Sequence, residues 1–165
     1  MNFNLSPEQC MLRDAAQRFV REQYGFEFRR ELLAGNIGWS QEIWQRYAEF
    51  GWLGLGISEE VGGLGCAPTD TAVVMEQLGA GLVLEPVIAS AVLSSRLIER
   101  CGNEVHRTAC LPAMAAGELI VVLAHDEEAA LVRSDLLPSA VAVRQQGSYL
   151  LEGRKTLVLA CPLAQ

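Results

Sequence analysis

The chain has 165 residues, half of them hydrophobic and a fifth charged. That balance belongs to a globular protein and not to a disordered one. The formal net charge of -7, with no basic cluster, argues against a nucleic-acid ligand or an anionic membrane surface.

The N-terminus, Met-Asn-Phe-Asn-Leu, lacks the basic segment and long apolar core of a signal peptide. A strong helix start follows. Ser6 is placed to cap, Pro7 suits the first helical position, and Gln9 completes a capping box. Leu5 and Cys10 are placed as an apolar staple. Leu12, Ala15, Ala16, Phe19 and Val20 then repeat at helical spacing, which predicts a helix to about Tyr24 or beyond Gly25. Ser40 caps a second predicted helix, with Ile43, Trp44 and Tyr47 on one face and Gly51 as its stop.

Next comes Trp52-Leu-Gly-Leu-Gly-Ile-Ser-Glu-Glu-Val-Gly-Gly-Leu-Gly65, too glycine-rich for a helix and too apolar for a linker. It is predicted to be a tightly packed connection between helices. Gly62-Gly63-Leu64-Gly65 neither follows a strand nor has the form of a phosphate-binding loop.

Pro68-Thr69-Asp70 opens a third predicted helix, which stops at Gly79. A fourth runs from Pro86 to about Cys101, and a fifth from Glu104 to Ala116, each ended by a glycine. The most apolar stretch, residues 82–98, is interrupted by Glu85, Pro86 and Arg96. It falls short of the ~20 apolar residues of a membrane span.

After Gly117 the pattern changes to strands. Residues 119–124 form a short apolar β-branched run. Residues 140–144 and 148–152 flank a Gln-Gln-Gly turn, and residues 155–159 are a further strand candidate. Helices first and strands afterwards predict an α+β chain, divided into a helical domain (1–118) and an incomplete antiparallel β domain (119–165). So short a strand region, ending abruptly at Gln165, suggests an N-terminal fragment of a longer protein.

The cysteines at 10, 66, 101, 110 and 161 form no C-x-x-C pair, and the two histidines are not at metal-ligand spacing from them. They are expected to be buried free thiols in a reduced cytoplasm. His106 is expected on the surface of the fifth helix, and Asp126-Glu127-Glu128 in a solvated loop.

The glycine-rich stretch closely resembles the "GWLGLGIPEEYGGLG" loop of the acyl-CoA dehydrogenases. Glu76-Gln-Leu-Gly79 is similar to that family's "EELG", and Leu111-Pro-Ala-Met-Ala-Ala-Gly-Glu118 to its "LPALASGE". Tyr149-Leu-Leu-Glu-Gly-Arg-Lys155 is similar to its "YVLNGxK". The resemblance spans essentially the whole chain, in the correct order.

It implies an N-terminal helical domain followed by the start of a middle β domain. The implied activity is α,β-dehydrogenation of acyl-CoA thioesters, with the electrons passed to FAD and on to an electron-transfer partner. A homo- or hetero-oligomer is implied too. The catalytic carboxylate of the family lies in its C-terminal helical part, so no residue here is assigned that role. The isolated chain is expected to be inactive.

By the same resemblance the fourth helix lines the acyl pocket, through Ala89, Ala91 and Val92. The alternative is that its small residues only permit close helix packing. The family's flavin-facing "TEP" segment corresponds to residues 126–128. Asp126 takes the threonine place after His125, Glu127 matches, and Glu128 replaces the proline. Ser134 with Asp135 is similar to the family's "SD" if two extra residues are allowed. Leu157 and Leu159 hold the places of a tryptophan and a hydroxyl residue. Three readings follow: a FAD-dependent acyl-CoA dehydrogenase, a flavin-deficient subunit with an assembly role, and a plain helical interaction module.

Overall fold

The computed structural model describes residues 4–35, 38–127 and 138–165. Helix α1, Pro7–Gln23, starts as its sequence dictates. Ser6 Oγ accepts from the Gln9 amide at 3.2 Å, and Gln9 Oε1 accepts from the Ser6 amide at 3.0 Å. Gly25 separates it from a second helix, α2, Phe26–Ala34. Helix α3, Gln41–Glu49, is capped by the Ser40 hydroxyl and buries Ile43, Trp44 and Tyr47 on one face.

The glycine-rich connection carries two short 3-10 turns, Trp52–Gly54 and Glu59–Val61. It folds back on itself. The amides of Leu64, Gly65 and Cys66 donate to the carbonyls of Gly54, Ile57 and Leu55 at 3.0, 2.8 and 2.8 Å. A side chain at Gly63 would stand 2.1 Å from the Ile57 carbonyl oxygen, so the closure admits only glycine there. The loop is the packed connection its composition predicts.

Helix α4, Pro68–Ala80, runs through Gly79 and ends at Gly81. Asp70 reaches back to the Ala67 amide at 2.8 Å. The fourth predicted helix divides in two. Ile88–Ser94 is a π-helix, with the Val92 amide bonded to the Val87 carbonyl at 3.0 Å, and α5 continues as Ser95–Cys101. The Ser94 and Ser95 hydroxyls donate to the Ala89 and Ala91 carbonyls, back onto the wide coil. Helix α6, Glu104–Ala115, follows the Asn103 cap.

Helices α1 and α4 pack along each other. The main core joins Phe19, Tyr47, Trp52, Leu55, Val74 and Leu78. The ring centroids of Phe19, Tyr47 and Trp52 lie 5.5 to 5.6 Å apart, a spacing at which aromatic pairs attract. A smaller cluster joins Ile57, Val61, Leu111 and Met114 beneath the glycine-rich loop.

Two predicted strands are corrected. Among the described residues, 119–124 and 155–159 pair with no strand. Residues 119–122 do alternate. Ile120 and Val122 face the main core, whereas Leu119 and Val121 face the smaller cluster. Their backbone partners include Ser90 Oγ, which accepts from the Val121 amide at 3.3 Å, and Gln165, whose amide donates to the Ile120 carbonyl at 3.2 Å. The alternation is strand-like, but among the described residues no second strand completes a ladder. The 155–159 stretch is broken by Leu157 at φ 49.

Among the described residues the sheet is one antiparallel hairpin, β1 Val141–Gln145 and β2 Ser148–Glu152, with Val143 opposite Leu150. Gln146 and Gly147, both at positive φ, form its turn. Every residue of both strands is exposed.

Candidate functional site

The π-helix is the wall between two recesses. On one side lies a pocket of about 240 Å³ lined by Ala89, Leu93, Leu123, His125, Asp126, Leu157 and Leu159. On the other lies a cavity of about 90 Å³, lined among others by Trp52, Leu55, Met75, Val87, Ala91, Val92 and Arg96. Seven residues of unusual coil thus present Ala89 to one space and Ala91 with Val92 to the other. Ser90, 1 % exposed, anchors the wall to the extended segment through Val121.

The larger pocket gathers five residues that the sequence singled out from separate stretches. Ala89 comes from the wall, His125 and Asp126 from the end of the extended segment, Leu157 and Leu159 from the segment after the hairpin. Ser134 lies outside the described residues. Ala91 and Val92 stand in the smaller cavity and do not share the pocket of Ala89.

The polar edge of the pocket is His125 Nδ1 against Asp126 Oδ1 at 2.9 Å. Between a neutral imidazole and a carboxylate, the imidazole supplies the proton. In the neutral tautomer that donates to Asp126, Nε2 is an acceptor, as are the Asp126 oxygens. The remaining lining side chains are apolar.

Beneath this edge lies an ion pair whose joint role the sequence did not disclose. Glu127, 7 % exposed, accepts from Lys155 Nζ at 2.7 Å, the Ser139 amide at 2.7 Å, the Ser139 hydroxyl and the Ala140 amide at 3.1 Å. Lys155 and these donors hold its carboxyl well down, at about 2. Lys155 also donates to the His125 carbonyl at 3.1 Å, and the Thr156 amide to the Asp126 carbonyl at 2.8 Å. The clamp therefore fixes the backbone that carries His125 and Asp126. The expectation of a solvated acidic loop is corrected for Glu127. Its match, together with that of Lys155, to two separate motifs was the available signal.

His106 is exposed, as expected. All five cysteines are free, but none is buried: Cys101 and Cys161 are exposed and the others half-buried. Among the described residues no group of three or more histidine, cysteine or acidic side chains could hold a metal ion, and no helix is long and apolar enough to cross a membrane.

Solved structures with this arrangement of elements include acyl-CoA dehydrogenases. The ChsE4-ChsE5 complex from Mycobacterium tuberculosis matches 99 % of this chain and 43 % of its own, with a TM-score of 0.87 at 24 % identity. The acyl-CoA dehydrogenase from Geobacillus kaustophilus matches 96 % and 41 %, with a TM-score of 0.80 at 25 % identity. The fold is thus the N-terminal helical domain of that class with part of a β domain.

The family model for the acyl-CoA dehydrogenase N-terminal domain matches residues 6–118, and the chain belongs to the acyl-CoA dehydrogenase family. Among its curated relatives, acyl-CoA dehydrogenase FadE12 of Mycobacterium tuberculosis is 27 % identical over 99 % of the chain. The (2S)-methylsuccinyl-CoA dehydrogenase of Cereibacter sphaeroides is 30 % identical over 93 %. The chain covers 42 % and 28 % of these two proteins, respectively.

Proposed function

We propose that this chain is the N-terminal part of an acyl-CoA dehydrogenase-type subunit that shapes an acyl pocket but lacks a flavin-binding donor set of its own. In this reading it works in the cytoplasm, within a hetero-oligomer that includes a flavin-bearing subunit. The helical domain ends near residue 118, and Ala89, Ala91 and Val92 supply the helical wall toward an acyl-CoA ligand.

The acceptor-only polar edge of the larger pocket carries this reading. A flavin ring offers one donor, N3–H, and acceptors at N1, N5 and its two carbonyl oxygens, and those acceptors require donors. At the proposed flavin-facing positions, Asp126 supplies oxygens only, His125 has committed its Nδ1 proton, and Leu157 and Leu159 supply none. An ionised Asp126 also opposes the negative charge a flavin gains on reduction. The described side chains at 125, 126, 157 and 159 leave those flavin acceptors unmet, and no reaction step is assigned through FAD. Two neighbours of the fold, the ChsE4-ChsE5 complex and the Tcur3481-Tcur3483 steroid ACAD variant, motivate a search for a partner chain.

The second reading is a FAD-dependent acyl-CoA dehydrogenase. The Glu127–Lys155 clamp favours it, because a fixed backbone at 125–127 can meet a flavin without side-chain donors. Electrons would then pass to an electron-transfer partner.

Calorimetric titration of the purified protein with FAD and with a series of acyl-CoAs separates the two. The first reading expects acyl-CoA binding without FAD, colourless protein and no dye reduction. Stoichiometric flavin in the purified protein, with turnover of any acyl-CoA, overturns it.

A further inference from the structure

The smaller recess, on the far side of the π-helix from the Ala89 pocket, joins an apolar wall to one cation. Trp52, Leu55, Val74, Met75, Ala91 and Val92 form much of the wall, and among the described residues Arg96 is the one charged residue lining it. The recess measures about 90 Å³. An apolar cavity of about 150 Å³ holds a benzene ring, so by proportion this one takes a tail of about four carbons.

The guanidinium of Arg96 is fixed by the glycine-rich loop. Nη1 donates to Glu99 Oε2 at 3.1 Å, and Glu99 Oε1 accepts from the Ser58 amide at 2.8 Å. Gly56 of the same loop also lines the recess. A Cβ on Gly56 would stand 3.2, 3.2 and 3.3 Å from Nε, Nη2 and Cζ of Arg96. Nearly equal distances to three atoms of one plane place that position over the guanidinium face. The head of Arg96 therefore lies flat on the glycine at the recess, with its edges uncovered by residue 56.

Glu99 takes only Nη1. Among the described residues Nε and Nη2 have no hydrogen-bond partner. Their two parallel N–H groups are the fork with which arginine grips a carboxylate through both oxygens. The Arg96 side chain is 34 % exposed, so a charged group on this edge keeps part of its hydration while an apolar tail leaves water. We propose that the recess binds a small carboxylate with a short apolar tail, the tail against Val74, Met75 and Val92 and the carboxylate on the Nε–Nη2 edge of Arg96. A cation is repelled by the guanidinium, and an anion without a tail gains nothing from the apolar wall. The site does not depend on what the Ala89 pocket holds.

The test is a titration of the purified protein with sodium pentanoate at low ionic strength, followed by the methyl NMR signals of Val74, Met75 and Val92. Saturable shifts are expected, with pentan-1-ol, which lacks the charge, binding about tenfold more weakly or worse. Arg96→Gln is expected to weaken pentanoate binding by about tenfold. Glu99→Gln is expected to strengthen it, because a like charge beside the bound carboxylate is removed. If Arg96 served packing alone, the two variants would act alike, since each breaks the same ion pair. No saturable shift, equal affinity for acid and alcohol, or weaker binding in both variants overturns the proposal. Glutaryl-CoA is expected not to displace pentanoate. Displacement would give the site to the terminal carboxylate of an acyl thioester and overturn its assignment to a free acid. Should Arg96→Gln fail to fold, Arg96→Lys replaces it, which keeps the charge without the fork. Weaker binding is then expected, and parent-like affinity overturns the proposal.

Discussion

The helical region and the region after it each bury a glutamate, and the two are shifted in opposite directions. Glu85 is almost wholly buried, and burial pushes its carboxyl up despite the amides and the Tyr24 hydroxyl that favour the charged form. Glu127 meets a lysine and three further donors, which push its carboxyl down to about 2. The first region is held by its apolar core and tolerates an awkward charge inside it. The second has a hairpin exposed on both strands, and the ion-pair clamp ties that hairpin's flanks together. Burial alone therefore does not tell what a carboxylate contributes. Its partners decide.

The contrast breaks most sharply at single leucines. Leu78 is 0 % exposed and Leu151 is 76 % exposed. Leu78→Ala is expected to cost about 2–5 kcal/mol in chemical denaturation. Leu151→Ala is expected to stay within about 0.5 kcal/mol. Similar losses at the two sites would show that the hairpin is packed as tightly as the helices. Limited proteolysis reads the same difference. The hairpin should be trimmed first and the helical core should survive, and equal protection of both in a monomer would remove the distinction.

The clamp comes next. Replacing Lys155 by methionine leaves the Glu127 carboxylate without its cation. Amide exchange at Ser139 and Ala140 should quicken, while the helical core is unchanged. Because the Glu127 pKa is lowered on folding, its stabilising contribution is present above the ordinary carboxylate range. It is lost as pH falls through about 2. Lys155→Met should shrink that acid-side loss. An identical acid transition in parent and variant would mean that the pair does not hold the segment.

Glu85 has the reverse sign. Its folded pKa is raised, so the folded state holds the proton more tightly. Its contribution is fully present below the ordinary carboxylate range and is lost as pH rises through the raised value. Glu85→Gln should flatten that part of the stability–pH curve, measured as a difference from the parent. A parallel curve would place the glutamate in contact with water.

The smallest expected effect is at the pocket edge. Asp126→Thr, alone and with Leu159→Thr, restores hydroxyls where the proposed reading finds acceptors and a leucine. FAD titration should show tighter binding, greater for the double change. Equal affinity in parent and both variants would mean that these side chains do not face a flavin.

Much of the helical region was legible from its sequence. Ser6, Pro7 and Gln9 set the start of α1, and Ser40 set that of α3, because a cap is completed within four residues. The glycine-rich loop announced its own close packing for the same local reason. The hairpin turn at Gln146 and Gly147 was equally local.

What required distant partners was not legible. Residues 119–122 have the composition and alternation of a strand, but a strand exists only when another pairs with it, and helices and Gln165 took its place. The fourth helix has ordinary helical residues, and its wide coil is supported by Ser94 and Ser95 bonding back to it and by Ser90 holding the neighbouring segment. Ala89 and Ala91 looked like one surface and face two spaces. Sequence alone determined where α1, α3, α4 and α6 begin and which loop must close tightly, since those rest on caps, small residues and short-range hydrogen bonds. Only the tertiary structure decided that Glu127 finds Lys155 and that Glu85 is buried against the Ser40 amide, because a buried charge answers to groups brought from elsewhere in the chain.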